Sequence, residues 1–94
     1  MREVNTTTRF RKDFRKIFGQ SRNRKAENRF RLILKMLVND AQLPVQVHDH
    51  ELSGELLGLR ELHVMPDLLL MYYKEGEQVL NLVRLGTHSE LFGG

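Results

Sequence analysis

Phe10, Phe14, Ile17 and Phe18 recur at the spacing that lines one face of an α-helix. Arg9, Arg11, Lys12, Arg15 and Lys16 fall largely off that face, so the segment is amphipathic. The hydroxyls of Thr6, Thr7 and Thr8 predict an N-cap before it, and Gly19 predicts its end. A second stripe, Ala26, Phe30, Ile33, Leu34 and Leu37, predicts another helix, capped by Ser21 or Asn23 and ending near Asn39 and Asp40. Two short amphipathic helices joined by a brief polar link read as a helical hairpin.

The period then shortens. Pro44 opposes helix, and Leu43–Val47 reads as extended chain. Ser53-Gly54 signals a turn. From Leu57 to Met65 the pattern alternates, with Leu57, Leu59, Glu61, His63 and Met65 on one face and Arg60, Leu62 and Val64 on the other. Pro66-Asp67 breaks this strand. The unbroken apolar run Leu68–Tyr73 predicts a central strand, in which Tyr72 and Tyr73 serve core and sheet surface. Glu75-Gly76 turns the chain into a further alternating strand over Val79–Leu85, and residues 2–5 suit an edge strand. Thr87 and Glu90 fit a capping box, which places His88 in the first turn of a short final helix. No repeat, low-complexity segment or linker divides the chain. The expectation is one α+β domain over residues 1–94: an N-terminal two-helix hairpin packed on a twisted antiparallel sheet of about four strands, with a short C-terminal helix.

Charge alters this picture because it is unevenly placed. Residues 1–37 hold twelve Lys and Arg against three acids, a net of +9, while residues 38–94 hold three against nine, a net of −6. A basic hairpin suits a phosphate backbone, whose condensed counterions are released on binding, and equally suits a solvated face that meets an acidic partner. No apolar run is long enough to span a membrane. No cysteine offers a disulfide or a thiolate ligand, and no secretory leader is legible, so a cytoplasmic protein is expected.

All four histidines lie in the second part, and with Asp67 they fall at predicted strand ends and loops. Imidazole is the side chain that exchanges protons most readily near neutral pH. Cleavage of RNA by its own 2′-hydroxyl needs a base for the 2′ proton, an acid for the 5′ leaving oxygen and a cation for the phosphorane. Histidines with Arg84, poised to hold a phosphate bidentately, supply these. Structural readings stand beside each assignment. His48-Asp49-His50 reads also as a polar loop, His63 as a sheet histidine, Asp67 as a turn residue and Phe92 as a core plug. His48 and His50 on one side of an extended strand, completed by His63, Asp67 or His88, would be a metal set, but no recognised zinc spacing supports it. No metal and no cofactor are therefore expected.

The stretches Asp49–Gly54, Gly58–Tyr72 and Arg84–Phe92 resemble the YafQ-type toxins of the RelE/ParE superfamily in the order and spacing of His50, Gly58, Arg60, His63, Pro66-Asp67 and Gly86-Thr87-His88 with Leu91-Phe92. The resemblance covers about half of the chain closely, and the basic half in character only. It implies a RelE-like fold and a ribosome-dependent endoribonuclease that cuts messenger RNA in the A site and so arrests translation. A cognate antitoxin would be its partner. By position it implies His50, His63, Asp67 and His88 as catalytic, Arg84 as the phosphate-holding residue and Phe92 as the aromatic that positions a base. It leaves His48 a surface histidine and Glu61 a residue standing where some relatives place an aspartate. Arg11, Lys12, Arg15, Lys16, Arg22, Arg24 and Lys25 would contact ribosomal RNA. Two other readings compete. ParE-like members share the fold and inhibit gyrase but lack the histidine set, and a non-catalytic nucleic-acid-binding module has no use for three such histidines.

Overall fold

The computed structural model describes residues 1–19 and 23–93. A short strand β1 (Glu3–Thr6) leads into helix α1 (Thr8–Phe14), whose N-cap is Thr7, its hydroxyl accepting from the Phe10 N–H. The helix widens into a π-helical turn over Arg15–Gly19, so Gly19 does end it. Asn23 caps α2 (Arg24–Val38) by accepting from the Ala26 N–H, and the Ser21 alternative lies outside the described residues. The sheet follows as β2 (His50–Glu51), β3 (Arg60–Met65), β4 (Leu68–Glu75) and β5 (Val79–Gly86), and α3 (His88–Phe92) closes the chain.

The strands lie in the order β1-β5-β4-β3-β2, with β1 parallel to β5 and the other pairs antiparallel. Helix α1 rests on β5 and α2 on β3. Between helices and sheet, the rings of Phe10, Phe14, Phe18 and Phe30 pack with centroids 5.0–6.0 Å apart. Leu62, Val64, Leu70, Tyr72, Leu80, Leu82 and Leu85 meet them from the sheet, all buried. These positions alternate along β3, β4 and β5, so the opposite sheet face carries the intervening residues. On β4 those are Leu69 and Met71, and they are buried too. A strand apolar on both faces belongs in the middle of a sheet, which is where the run Leu68–Tyr72 lies.

Three expectations need correction. Leu43–Val47 is not extended throughout: after Pro44 the chain makes one 3₁₀ turn, Val45–Val47. Proline is tolerated as a helix starts, where its missing N–H costs nothing, and the turn swings Val47 into the core while Val45 stays exposed. The strand expected from Leu57 begins at Arg60, because a 3₁₀ turn at Gly54–Leu56 and a positive φ of 100° at Gly58 keep the preceding chain out of register. The sheet has five strands and not about four, since β1 and the two-residue β2 each add an edge.

Phe30 touches three other phenylalanines and is 4% exposed. Phe30→Ala should therefore cost about 3–5 kcal/mol of unfolding free energy, read from urea denaturation. A cost under about 1 kcal/mol would mean that the aromatic cluster does not hold the hairpin to the sheet.

Candidate active site

The open face of the sheet gathers residues far apart in sequence into registered rows. His50 pairs with Glu61, Glu61 with Met71, and Met71 with Arg84, one residue from each of β2, β3, β4 and β5. One step along, His63 pairs with Leu69 and Leu69 with Gly86. A β-bulge interrupts each flank of β4, between His63 and Met65 on one side and at the Met71/Tyr72 step on the other. Such bulges bend a strand and re-aim its side chains.

His50 is exposed, and its Nδ1 lies 2.7 Å from the His48 carbonyl oxygen. A carbonyl only accepts, so Nδ1 carries the hydrogen in that bond. Nε2 then faces Glu61 Oε1 at 3.5 Å. The neutral imidazole presents a lone pair to the carboxylate, so this contact becomes a hydrogen bond only when the pair holds an extra proton. Glu61 is 6% exposed. Among the described residues its Oε2 is buried without a hydrogen-bond partner. An unmet buried oxygen costs about 1–3 kcal/mol, a cost seen where function retains a group that packing would remove.

His63 projects from the same strand as Glu61 and is anchored by Nδ1 donating to the Pro66 carbonyl at 3.1 Å. Its ring stands edge-on to that of His48, centroids 5.6 Å apart. His48 is exposed, as expected of a surface histidine, yet it touches the site. Asp67 occupies the exposed β3–β4 turn, and among the described residues no hydrogen bond or ion pair joins it to a histidine. On α3, the His88 ring packs on that of Phe92 at 4.8 Å, tilted by 43°. The expected capping box is present: Thr87 accepts from the Glu90 N–H, and Glu90 accepts from the Thr87 N–H. Gly86 lets this helix fold back, since a Cβ there would sit 3.0 Å from Glu90 Oε1 and 3.3 Å from Leu91 Cδ2.

Arg84 is not a free bidentate arm. Its Nε and Nη2 donate to the Asp13 carboxylate at 2.8 and 3.3 Å, and Asp13 also accepts from the Leu85 N–H. A guanidinium has five donors, so the Nη1/Nη2 edge remains for a phosphate while Asp13 fixes the plane. Asp13 escaped the sequence reading, although a lone acid amid the basic residues of α1 is a visible signal. A second clamp also escaped it. Asp49 accepts from Arg60 Nη2 at 2.7 Å and from the Tyr72 hydroxyl. Burial first, then the charge and hydrogen bond of Asp49, push the Tyr72 phenol well above its usual range. Asp49 hydrogen bonding holds Arg60 all the more firmly protonated. Because Asp49 lies between His48 and His50, this clamp sets the loop that presents both imidazoles.

The basic residues divide. Lys12, Arg15, Arg24 and Lys25 are exposed. Arg11 donates to Thr6 and Thr8, Lys16 pairs with Glu90 at 2.8 Å, and Arg22 lies outside the described residues. Among the described residues no group of three or more acids and histidines is placed to hold a metal ion, so the set weighed from His48, His50 and their neighbours does not assemble here.

Fold and site together define a small α+β protein with an imidazole, carboxylate and guanidinium centre on an open sheet face. The profile of the family described as "Bacterial toxin of type II toxin-antitoxin system, YafQ" matches residues 2–93, and the chain belongs to that family. The mRNA interferase toxin YafQ of Escherichia coli strain K12 is 34% identical over 93 residues, which cover 98% of this chain and 97% of that protein. The toxin in a crystal structure of the E. coli DinJ–YafQ complex superposes with a TM-score of 0.84 at 30% identity, covering 99% of this chain and 100% of that one. A metal-bound toxin from Helicobacter pylori superposes with a TM-score of 0.83 at 38% identity, covering 98% and 100%.

The attachment of α3 is sensitive to acid. The hydrogen bond from Lys16, then that from the Thr87 N–H, lowers the Glu90 pKa from 4.5 to about 2. A depressed carboxylate stabilises the fold above its unfolded pKa, and that contribution is lost as pH falls from 4.5 towards about 2. The Glu90 side chain is 37% exposed, so solvent screening keeps the effect below about 1 kcal/mol. Amide exchange in α3 should accelerate across that window in the wild type, and Glu90→Gln should flatten the dependence. Acid-insensitive α3 protection in the wild type would show that this ion pair does not hold the helix.

Proposed function

We propose that the chain is the toxin of a type II pair that cuts messenger RNA on the ribosome by metal-independent acid–base catalysis, and so stops translation in the cytoplasm. The observation that carries this reading is the row His50–Glu61–Met71–Arg84 with His63 beside it and the His88–Phe92 stack at its end. In this reading His50, His63, Asp67 and His88 form the catalytic group. One imidazole takes the proton from a 2′-hydroxyl as its oxygen attacks the adjacent phosphorus. The bond from phosphorus to the 5′ oxygen breaks, and a second, protonated group donates to that leaving oxygen. The half-occupied guanidinium of Arg84 stabilises the phosphorane, held in plane by Asp13. Glu61 favours the protonated form of the His50 pair, which suits His50 to the role of acid. Phe92 stacks on a base, and His88 rides with it on α3.

Arg11, Lys12, Arg15, Lys16, Arg22, Arg24 and Lys25 would contact ribosomal RNA, chiefly through those whose side chains are exposed. The ribosome supplies the in-line geometry that a free strand lacks. The family's type II assignment and the antitoxin bound to the E. coli relative support a cognate antitoxin for this chain. Co-expression with the adjacent gene should restore growth and co-purify a complex. Harmless expression of soluble, folded toxin alone would remove the toxin reading.

The chemistry has its own test on programmed ribosomes. Products should carry a 2′,3′-cyclic phosphate, or the 3′-phosphate from its hydrolysis, and a 5′-hydroxyl, and a 2′-deoxy sugar at the cut should abolish cleavage. His50→Ala, Asp67→Ala and His88→Ala should each slow single-turnover cutting by roughly 10²–10⁴-fold while circular dichroism stays native. Ends bearing a 5′-phosphate, or cutting of the deoxy message, would overturn 2′-hydroxyl attack in favour of a metal-activated water.

A further inference from the structure

Beside the row of site residues lies a cavity of about 370 Å³ lined by Arg29, Gln46, His48, His63, Met65 and Pro66. Three observations point to what it takes. No carboxylate lines it, and Asp67, the nearest acid in sequence, stays outside. Arg29 on α2 is held by Nε donating to the Val64 carbonyl at 3.0 Å, which aims its two terminal nitrogens without neutralising them. Among the described residues it pairs with no acid. His48, finally, adopts a left-handed backbone with φ of 52°, uncommon for a residue other than glycine, and this conformation brings its ring edge to His63.

Two imidazoles, a fixed guanidinium and an amide around one concavity offer hydrogen-bond donors and positive charge with no competing anion. That chemistry recognises a phosphate oxygen set. His63 belongs both to this cavity and to the open sheet face, so a ligand here is next to whatever His50 and Arg84 hold. We propose that the cavity is a second phosphate subsite, which takes the phosphodiester neighbouring the one that is cut in a single RNA strand. This rests on the RNA-cutting reading and extends it: His48, which the family pattern leaves out, becomes a substrate-binding residue, and α2 takes part in gripping the message.

The test uses the whole protein and a trinucleotide RNA with a 2′-deoxy sugar at its central position, followed by NMR at constant ionic strength. The ring protons of His48 and His63 and the Arg29 Nε–H should shift saturably. Arg29→Gln should weaken binding about fivefold to tenfold. It should also flatten the slope of log K against log salt by about 0.7, the share of one single-strand phosphate contact. His48→Ala, which alters an exposed side chain, provides the same comparison if Arg29→Gln lowers the melting temperature. Inorganic phosphate serves as a separate arm. If it saturates the cavity as tightly as the trinucleotide, the site takes free anions and the RNA assignment is overturned. Shifts at His88 and Phe92 with none at His48 or Arg29 overturn the subsite and leave the RNA-cutting reading standing. A trinucleotide that moves none of these residues overturns the subsite as well. Saturable shifts at His48 and Arg29 in a protein that cuts no message support the subsite while sinking the nuclease.

Discussion

Strand β4 is apolar on both faces, with Leu70 and Tyr72 turned to the helices and Leu69 and Met71 to the open side. Burial on both sides anchors its two neighbours in register. A slip of one residue by β3 would carry Glu61 and His63 into the aromatic core and expose Leu62 and Val64. With Leu62 and Val64 fully buried, that exchange would remove two apolar side chains from the core and bury a carboxylate and an imidazole. Packing on the helix face therefore enforces the arrangement of polar groups on the other.

Around that fixed centre, the site is held by polar tethers from outside the sheet. Asp13 on α1 orients Arg84, the Asp49–Arg60–Tyr72 clamp orients the loop between His48 and His50, and the Lys16–Glu90 pair secures α3. Each tether uses one member of opposite charge to limit the freedom of a group needed elsewhere. The basic hairpin is thus more than a surface for nucleic acid. Part of its charge is internal to the fold, as with Arg11 at the β1–α1 junction, and part positions the chemistry. Exposed Lys12, Arg15, Arg24 and Lys25 are left as the outward-facing share.

The Glu61–His50 contact shows how burial and reactivity are balanced. A carboxylate with one oxygen buried and unmet is unfavourable in a resting fold, and it gains when a proton reaches the imidazole beside it. An exposed histidine backed by a buried acid is a compact way of setting a proton donor on a flat sheet, where no deep cleft excludes water.

Hydrophobic period alone determined the two helices, the central strand, the Thr87 cap and the α+β class, because each depends on neighbours within a few residues in sequence. The same pattern placed His63 and Glu61 together on one strand face, and the order of His50, His63, Asp67, Arg84, His88 and Phe92 was legible as a family spacing. What lay beyond it were the relations that cross the chain. Asp13 meets Arg84 71 residues later, Tyr72 meets Asp49 across 23 residues, and His48 reaches His63 only through a left-handed turn. The start of β3 was misplaced because the alternation at Leu57 and Leu59 continues through a segment whose backbone turns at Gly58. Periodicity reports which side of an element faces the core. Which distant side chains then share a proton, a carboxylate or a cavity is decided by strand register, bulges and the docking of α3 on Gly86, all of which exist only once the sheet has closed.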